Sequence, residues 1–243
     1  MKVNLTCPTS WYNFTQKQLA FTFSLLAHDF TFEEVKCMLL IRFNHLKVIG
    51  RNPDGSYALQ QGRDVFAITA HQLANAAAAL DFLKQLPPFP VRLEKIGWAS
   101  ALHASLQGVP FEKFIMLDNL YQGYLHTRND ALLEQMGGIL YPHHFGKWRP
   151  LDHINIFYWF AALKQYFAQR WPHFLKPATV PSAPAGSISN IMQANIDTQI
   201  RALTKGDITK EKTVLSIDTH RALTELDALA REYDELHKTS KSK

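Results

Sequence analysis

Apolar residues recur at helical spacing along most of the chain and at strand spacing in one short stretch. Thr15 reads as the N-cap of a helix running to about His28, with Leu19, Phe23 and Leu26 on one face. Thr31 reads as the next N-cap. Glu34, three residues on, completes a capping box, and this helix runs to Phe43 with Val35, Met38 and Leu39 along it. The period then changes. LKVIG, the turn Asn52-Pro53-Asp54-Gly55 and SYALQ read as strand, turn, strand, and VFAI at 65–68 adds a third short strand. Thr69 caps AHQLANAAAALDFLKQL, which Pro87-Pro88 stops. Residues 90–109 carry the weakest pattern, with VRLEKI as a strand and QGVP as a turn. Pro110 then opens a helix to Thr127 in which Phe111, Phe114, Ile115, Leu117, Tyr121 and Leu125 form a wide face. Asn129 caps DALLEQMGGIL, whose Gly137-Gly138 reads as a close helix crossing or a break. After the loop YPHHFGKWRP, Leu151 to about Arg170 is a helix apolar nearly all round in INIFYWFAAL, the mark of a central core helix.

The sharpest boundary is PATVPSAPAGS, residues 177–187, where three prolines and small residues favour an extended tether. It separates a helical body, 1–176, with a β-hairpin or meander near 46–68, from a C-terminal module, 188–238. In that module Ile188, Met192, Ile196, Ile200 and Leu203 share one helix face, and Gly206 ends the helix. Asp207 or Thr209 caps a second helix whose seam is Leu215, Thr219, Ala222, Leu226, Leu229, Tyr233 and Leu236. The expected fold is therefore mainly α: a helical body with a small β element, followed by a tethered αα-hairpin. A hairpin alone buries too little, so it should dock on its own body, on a second copy or on another protein. Leu215, Leu226, Leu229, Tyr233 and Leu236 are the candidate protein-interaction residues.

Composition narrows the class without naming an activity. The 243 residues are 47% apolar and 19% charged, which excludes a disordered or disulfide-scaffold chain. The net charge of +5 is spread thinly over the N-terminal part, with no basic tract. A nucleic-acid-binding module is thus an alternative reading, and the lesser one. Cys7 and Cys37 form no CxxC pair, and Cys37, within CMLLI, reads as a small buried hydrophobe. The opening MKVNLTCPTSW has no apolar core, so no secretory leader is expected. No apolar run approaches the roughly 20 residues that span a bilayer. The expectation is a cytoplasmic protein with no membrane partner.

Candidate chemistry is thin. His143, His144 and His153, with Asp152, could offer a two-histidine–carboxylate metal set. No HExxH and no cysteine pair supports it, and the expectation is no metal and no cofactor. Ser100 has His103 three residues on, but no G-x-S-x-G, GxGxxG or GxxxxGK[ST] occurs. Trp148, Phe157, Tyr158, Trp159, Phe160, Tyr166, Phe167 and Trp171 could stack bases. At helical spacing in an apolar helix they read as core. No catalytic residue is assigned, and an enzyme of an unrecognised family is the remaining alternative.

Three blocks carry a family resemblance: CPTSWYNFTQKQLAF, PFEKFIMLDNLYQGYL and IDTQIRALTKGDITKEKTVLSIDTHRALTELDALAREYDEL. They resemble a poorly characterised family of phages and prophages of Bacteroides-like bacteria, encoded near tail and virion-assembly genes. The opening is similar to P-x-S-W-x-x-[LF]-T-x-x-Q-L. The resemblance implies a non-enzymatic virion or tail assembly or structural protein. It would work through contacts with other phage structural or assembly proteins or with itself, in the bacterial cytoplasm or on the virion. It transfers no functional residue.

Overall fold

The computed structural model describes residues 5–175 and 198–241. The chain is mainly α, with a three-stranded and a two-stranded antiparallel sheet and helices at its C-terminal end. The expected tether, 177–187, and the residues Ile188, Met192 and Ile196 lie outside the described residues. The described chain divides into two compact units. Unit 1 holds residues 5–87, 91–94 and 148–155, and unit 2 holds 88–90, 95–147 and the described residues from 156 on.

In unit 1 the local chemistry sets each helix start. Helix α1 (Gln16–Leu26) is capped by Thr15 and α2 (Phe32–Phe43) by Thr31. Both are full capping boxes, with Gln18 and Glu34 returning bonds to the cap backbone. Strands β1 (Leu46–Arg51), β2 (Tyr57–Gln61) and β3 (Asp64–Ile68) form a meander in the order β1-β2-β3. Gly55, at φ 82°, turns the chain between β1 and β2, while Asp54 Oδ1 accepts from the Ser56 N–H at 2.9 Å. Leu46, Leu59 and Ile68 close the core under this sheet with Ile41, Tyr57, Phe66 and Leu73. Thr69 caps α3 (Ala70–Ala77), which tightens into a 3₁₀ turn over Ala78–Lys84 rather than running on as one α-helix. Trp11 packs edge-on against Phe82 and donates its Nε1–H to the Gln85 carbonyl at 3.0 Å, which holds the chain where the helix stops.

Unit 2 is built around rings. Strands β4 (Lys95–Ile96) and β5 (Ala99–Ser100) form a minimal hairpin, so the strand expected over VRLEKI is only its last two residues. Helix α4 (Phe111–Thr127) packs on α5 (Asp130–Leu140). Their close approach is at Gly123, where a Cβ would stand 3.1 Å from Leu132 Cδ1. Gly137-Gly138 does not break α5; Gly137 is buried, and nothing lies within 4 Å of a Cβ placed on Gly138. Helix α6 (Pro150–Arg170) gives its residues from 156 on to this unit. Phe160 and Phe167 of α6 meet Tyr121 and Phe114 of α4, with ring centroids 5.1 and 5.5 Å apart. Of the dense aromatics, Trp159, Phe160, Phe167 and Trp171 are buried core, while Trp148, Phe157, Tyr158 and Tyr166 are half-buried. Trp159 is fully buried and donates to the Ala104 carbonyl at 2.8 Å, since an indole N–H in a core needs an acceptor.

The C-terminal helices are α7 (198–204), α8 (Glu211–Leu215) and α9 (Thr219–Lys241). Lys205 and Gly206, at φ 53° and 82°, end α7 where a glycine stop was expected. The second helix does not run unbroken from 209. Asp207 accepts from the Thr209 N–H and hydroxyl and starts a 3₁₀ turn. The chain then breaks again at 216–218, so Leu215 lies on α8 and not on the seam of α9.

Candidate contact surfaces

The break before α9 has a physical reason in its neighbours. Phe111 N–H donates to the Ile217 carbonyl at 2.8 Å, and Thr219 N–H donates to the Val109 carbonyl at 2.9 Å. These bonds form an antiparallel bridge beside the start of α4. Asp218 takes the Gly108 N–H on Oδ2 at 2.6 Å and caps α9 by accepting from the Arg221 N–H on Oδ1. Farther along, His220 sits edge-on to Phe167 and Trp171. Its Nε2–H donates to the Ser105 carbonyl at 2.6 Å, which selects that tautomer. Thr224 accepts from Trp171 Nε1–H at 3.1 Å, and Asp227 Oδ1 accepts the N–H groups of His173 and Phe174.

The seam of α9 therefore has two fates. Thr219, Ala222, Leu223 and Leu226 are buried in unit 2, with Leu226 only 3% exposed. Leu229 is half-buried. Tyr233 is 63% and Leu236 72% exposed, one and two turns farther on. Of the five expected interaction residues, Leu226 packs inside its own unit and Leu215 is half-buried on α8. Leu229, Tyr233 and Leu236 form a ridge whose outer end faces solvent. At helical spacing Glu225 and Glu232 flank it, with Arg231 the one base from 225 to 236.

A second exposed apolar feature was not read from the sequence. Trp98 is fully exposed at the tip of the β4–β5 hairpin, and Phe145 is 93% exposed in the loop after α5. Gly97 has φ 59°, and Trp98 is not among the positive-φ residues. That pattern is a tight turn with glycine in its first central position. Ile96 and Ala99 pair across the hairpin and are both buried, so the tip stands on an anchored base. The signal available beforehand was I-G-W-A, a glycine–aromatic pair between two residues of opposite strands. It sat in the stretch with the weakest periodicity.

The other candidates resolve into structural roles. Both oxygens of fully buried Asp152 accept from the Arg149 guanidinium at 3.0 Å, and Oδ2 also takes the Arg149 N–H at 2.9 Å. That is a helix-start clamp on α6, and this bonding pushes the Arg149 guanidinium up. His143 is exposed at φ 72°. Among the described residues no three His, Cys, Asp or Glu stand together as a metal set. His103 Nδ1 pairs with Ser105 Oγ at 3.0 Å, not with Ser100. Cys7 and Cys37 are free and half-buried, and burial raises both thiols. Lys36 is 4% exposed, with Asp81 at 2.7 Å and Glu33 at 2.8 Å. Burial would lower its pKa, but these two carboxylates outweigh it and hold the ammonium above its ordinary value. No helix among the described residues is long and apolar enough to cross a membrane. Compared with protein-family models, curated proteins and solved structures, the chain matches none.

Proposed function

We propose that this chain is a non-enzymatic assembly or structural protein of phage type that works through protein–protein contact. The observation that carries the reading is the seam of α9, which leaves the core halfway along its length. An apolar stripe that continues into solvent beside Glu225 and Glu232 is a ready contact surface, since exposed apolar ridges rimmed by charge mark interaction sites. The three sequence blocks that resemble phage tail-region proteins supply the setting, on the virion or beside it during assembly in the host cell. The mild basic excess supports the nucleic-acid alternative less well, because it forms no tract that could follow a phosphate backbone.

The test is a photo-crosslinking amino acid at position 236 of the full chain, irradiated in phage-producing cells. Adducts to a protein, this chain or another virion component, are the expected result. Adducts to nucleic acid in place of protein would replace the reading with its alternative. An equal protein yield from position 225, off the seam, would show that the ridge has no special role.

A further inference from the structure

The three-stranded sheet of unit 1 has two edge strands, β1 and β3, and they are built differently. β1 carries a bulge between Val48 and Gly50 and an exposed Lys47, two devices that keep another strand from pairing there. β3 pairs with β2 in unbroken register from Asp64 to Ile68 and holds no lysine, proline or bulge. Its turn fixes which of its backbone groups face outward. Gly62 and Arg63 alone join β2 to β3, with Gly62 at φ 61° and Arg63 not among the positive-φ residues. A two-residue turn of this kind closes on a hydrogen-bonded pair, here Gln61 and Asp64. Bonded pairs alternate along an antiparallel ladder, so Leu59–Phe66 and Tyr57–Ile68 are bonded as well. Val65 and Ala67 therefore aim their N–H and C=O groups away from β2. Both residues are exposed, Val65 by 60%, and among the described residues no backbone hydrogen bond reaches that side of β3.

We infer that a second copy of this chain occupies this edge, β3 lying antiparallel to β3 about a two-fold axis at Phe66. The edge is complementary to itself, because its two outward residues stand symmetrically on either side of Phe66. Val65 of each copy then exchanges both backbone bonds with Ala67 of the other, and the two sheets continue as one. Phe66 meets its own copy at a non-bonded position, where side chains come closest and aromatic pairs are favourable. Asp64 falls opposite Ile68, so no charge meets a like charge. Neighbouring registers are worse. A shift toward the turn sets Arg63 of the turn opposite Ala67, and a further step sets Asp64 on Asp64. A shift the other way needs the Thr69 N–H, which Gln72 Oε1 already takes at 2.9 Å. Two strands of five residues each fall short of the roughly 1,200 Å² of a standard interface. The dimer is therefore weak and concentration-dependent. Being isologous, the contact uses up the edge and ends at two copies. It goes beyond the α9 reading and does not depend on it.

Sedimentation equilibrium of the intact chain over a concentration series tests this. Wild type should pass from monomer to dimer and stop there. Ala67→Pro removes a donor that faces away from β2, so it should leave the melting curve near wild type and weaken the dimer at least tenfold. A mixed crosslink fixes the register and decides the matter if the proline variant does not fold. Val65→Cys mixed with Ala67→Cys should form a disulfide between the two variants under mild oxidation, because their Cα atoms would stand about 5.5 Å apart. Either variant alone holds its thiols a diagonal apart and should stay at the wild-type background set by Cys7 and Cys37. A wild type that stays monomeric at every concentration overturns the inference. So does a folded Ala67→Pro that dimerises like wild type, or a mixture that crosslinks no better than its parts. If wild type is monomeric and a photo-crosslinking residue at position 65 couples to a different protein, the edge takes a foreign strand and the second copy is wrong. Position 236 is read separately, so the α9 contact does not fall with this one.

Discussion

The two halves of α9 share one seam and differ in almost everything else. The proximal half, to Asp227, is stitched to the loop at 105–109 and to the chain after α6 by hydrogen bonds from backbone and side chain alike, and it packs against α4. The distal half carries the same apolar spacing past those partners, out to Leu236. Periodicity thus records which face of a helix is apolar, and it is silent on what covers that face. A single heptad-like stripe can serve a molecule's own core at one end and offer a contact at the other.

That contrast can be broken most forcefully at Leu226. Leu226→Asp places an unpaired carboxylate in the core and should cost about 3–5 kcal/mol, visible as a large drop in the melting temperature of unit 2. A variant that melts like wild type would mean that the proximal half is not core. Asp218→Ala removes the cap of α9 and the acceptor for Gly108, and should cost about 1–2 kcal/mol in chemical denaturation. Hydrogen exchange sharpens the comparison without mutation. Amides of residues 222–227 should open only with unit 2, while those past 232 should exchange on the order of 100-fold faster or more. Uniform protection along α9 would erase the distinction. Leu236→Asp should shift stability by no more than about 0.5 kcal/mol, since the site is exposed. Glu225→Ala, one residue from Leu226 and exposed, should move neither stability nor association, and a clear effect there would put the helix register in doubt.

What was legible in the sequence was local. The threonines at 15, 31 and 69 announce their helices because each has a Gln or Glu three residues on to complete a box. Gly55 and Gly206 sit where the chain needs a positive φ, and the Leu46–Ile68 meander follows from its strand period and turns. What was not legible depends on partners distant in sequence. The break at 216–218 exists because residues 108–111 pair with it, and no local pattern carries that. Lys36 lies on the apolar side of its helix because Asp81, 45 residues on, comes to meet it. Spacing put Leu226, Leu229, Tyr233 and Leu236 on one seam, but it carried no sign that Leu226 is buried while Tyr233 and Leu236 are exposed. Trp98 and Phe145 were missed because exposure of a single ring in a short loop leaves no period to detect.

The exposed tryptophan has an optical consequence. Of the five tryptophans, Trp11, Trp159 and Trp171 are buried and Trp148 is half-buried, while Trp98 stands fully in water. Emission from the folded chain is therefore a sum of shielded blue components and one solvent-relaxed red one. A collisional quencher such as acrylamide reaches the red component first and subtracts it almost alone. The molecule carries its own fluorophore at the hairpin tip, and whatever covers that tip will announce itself as a blue shift and a loss of quenching.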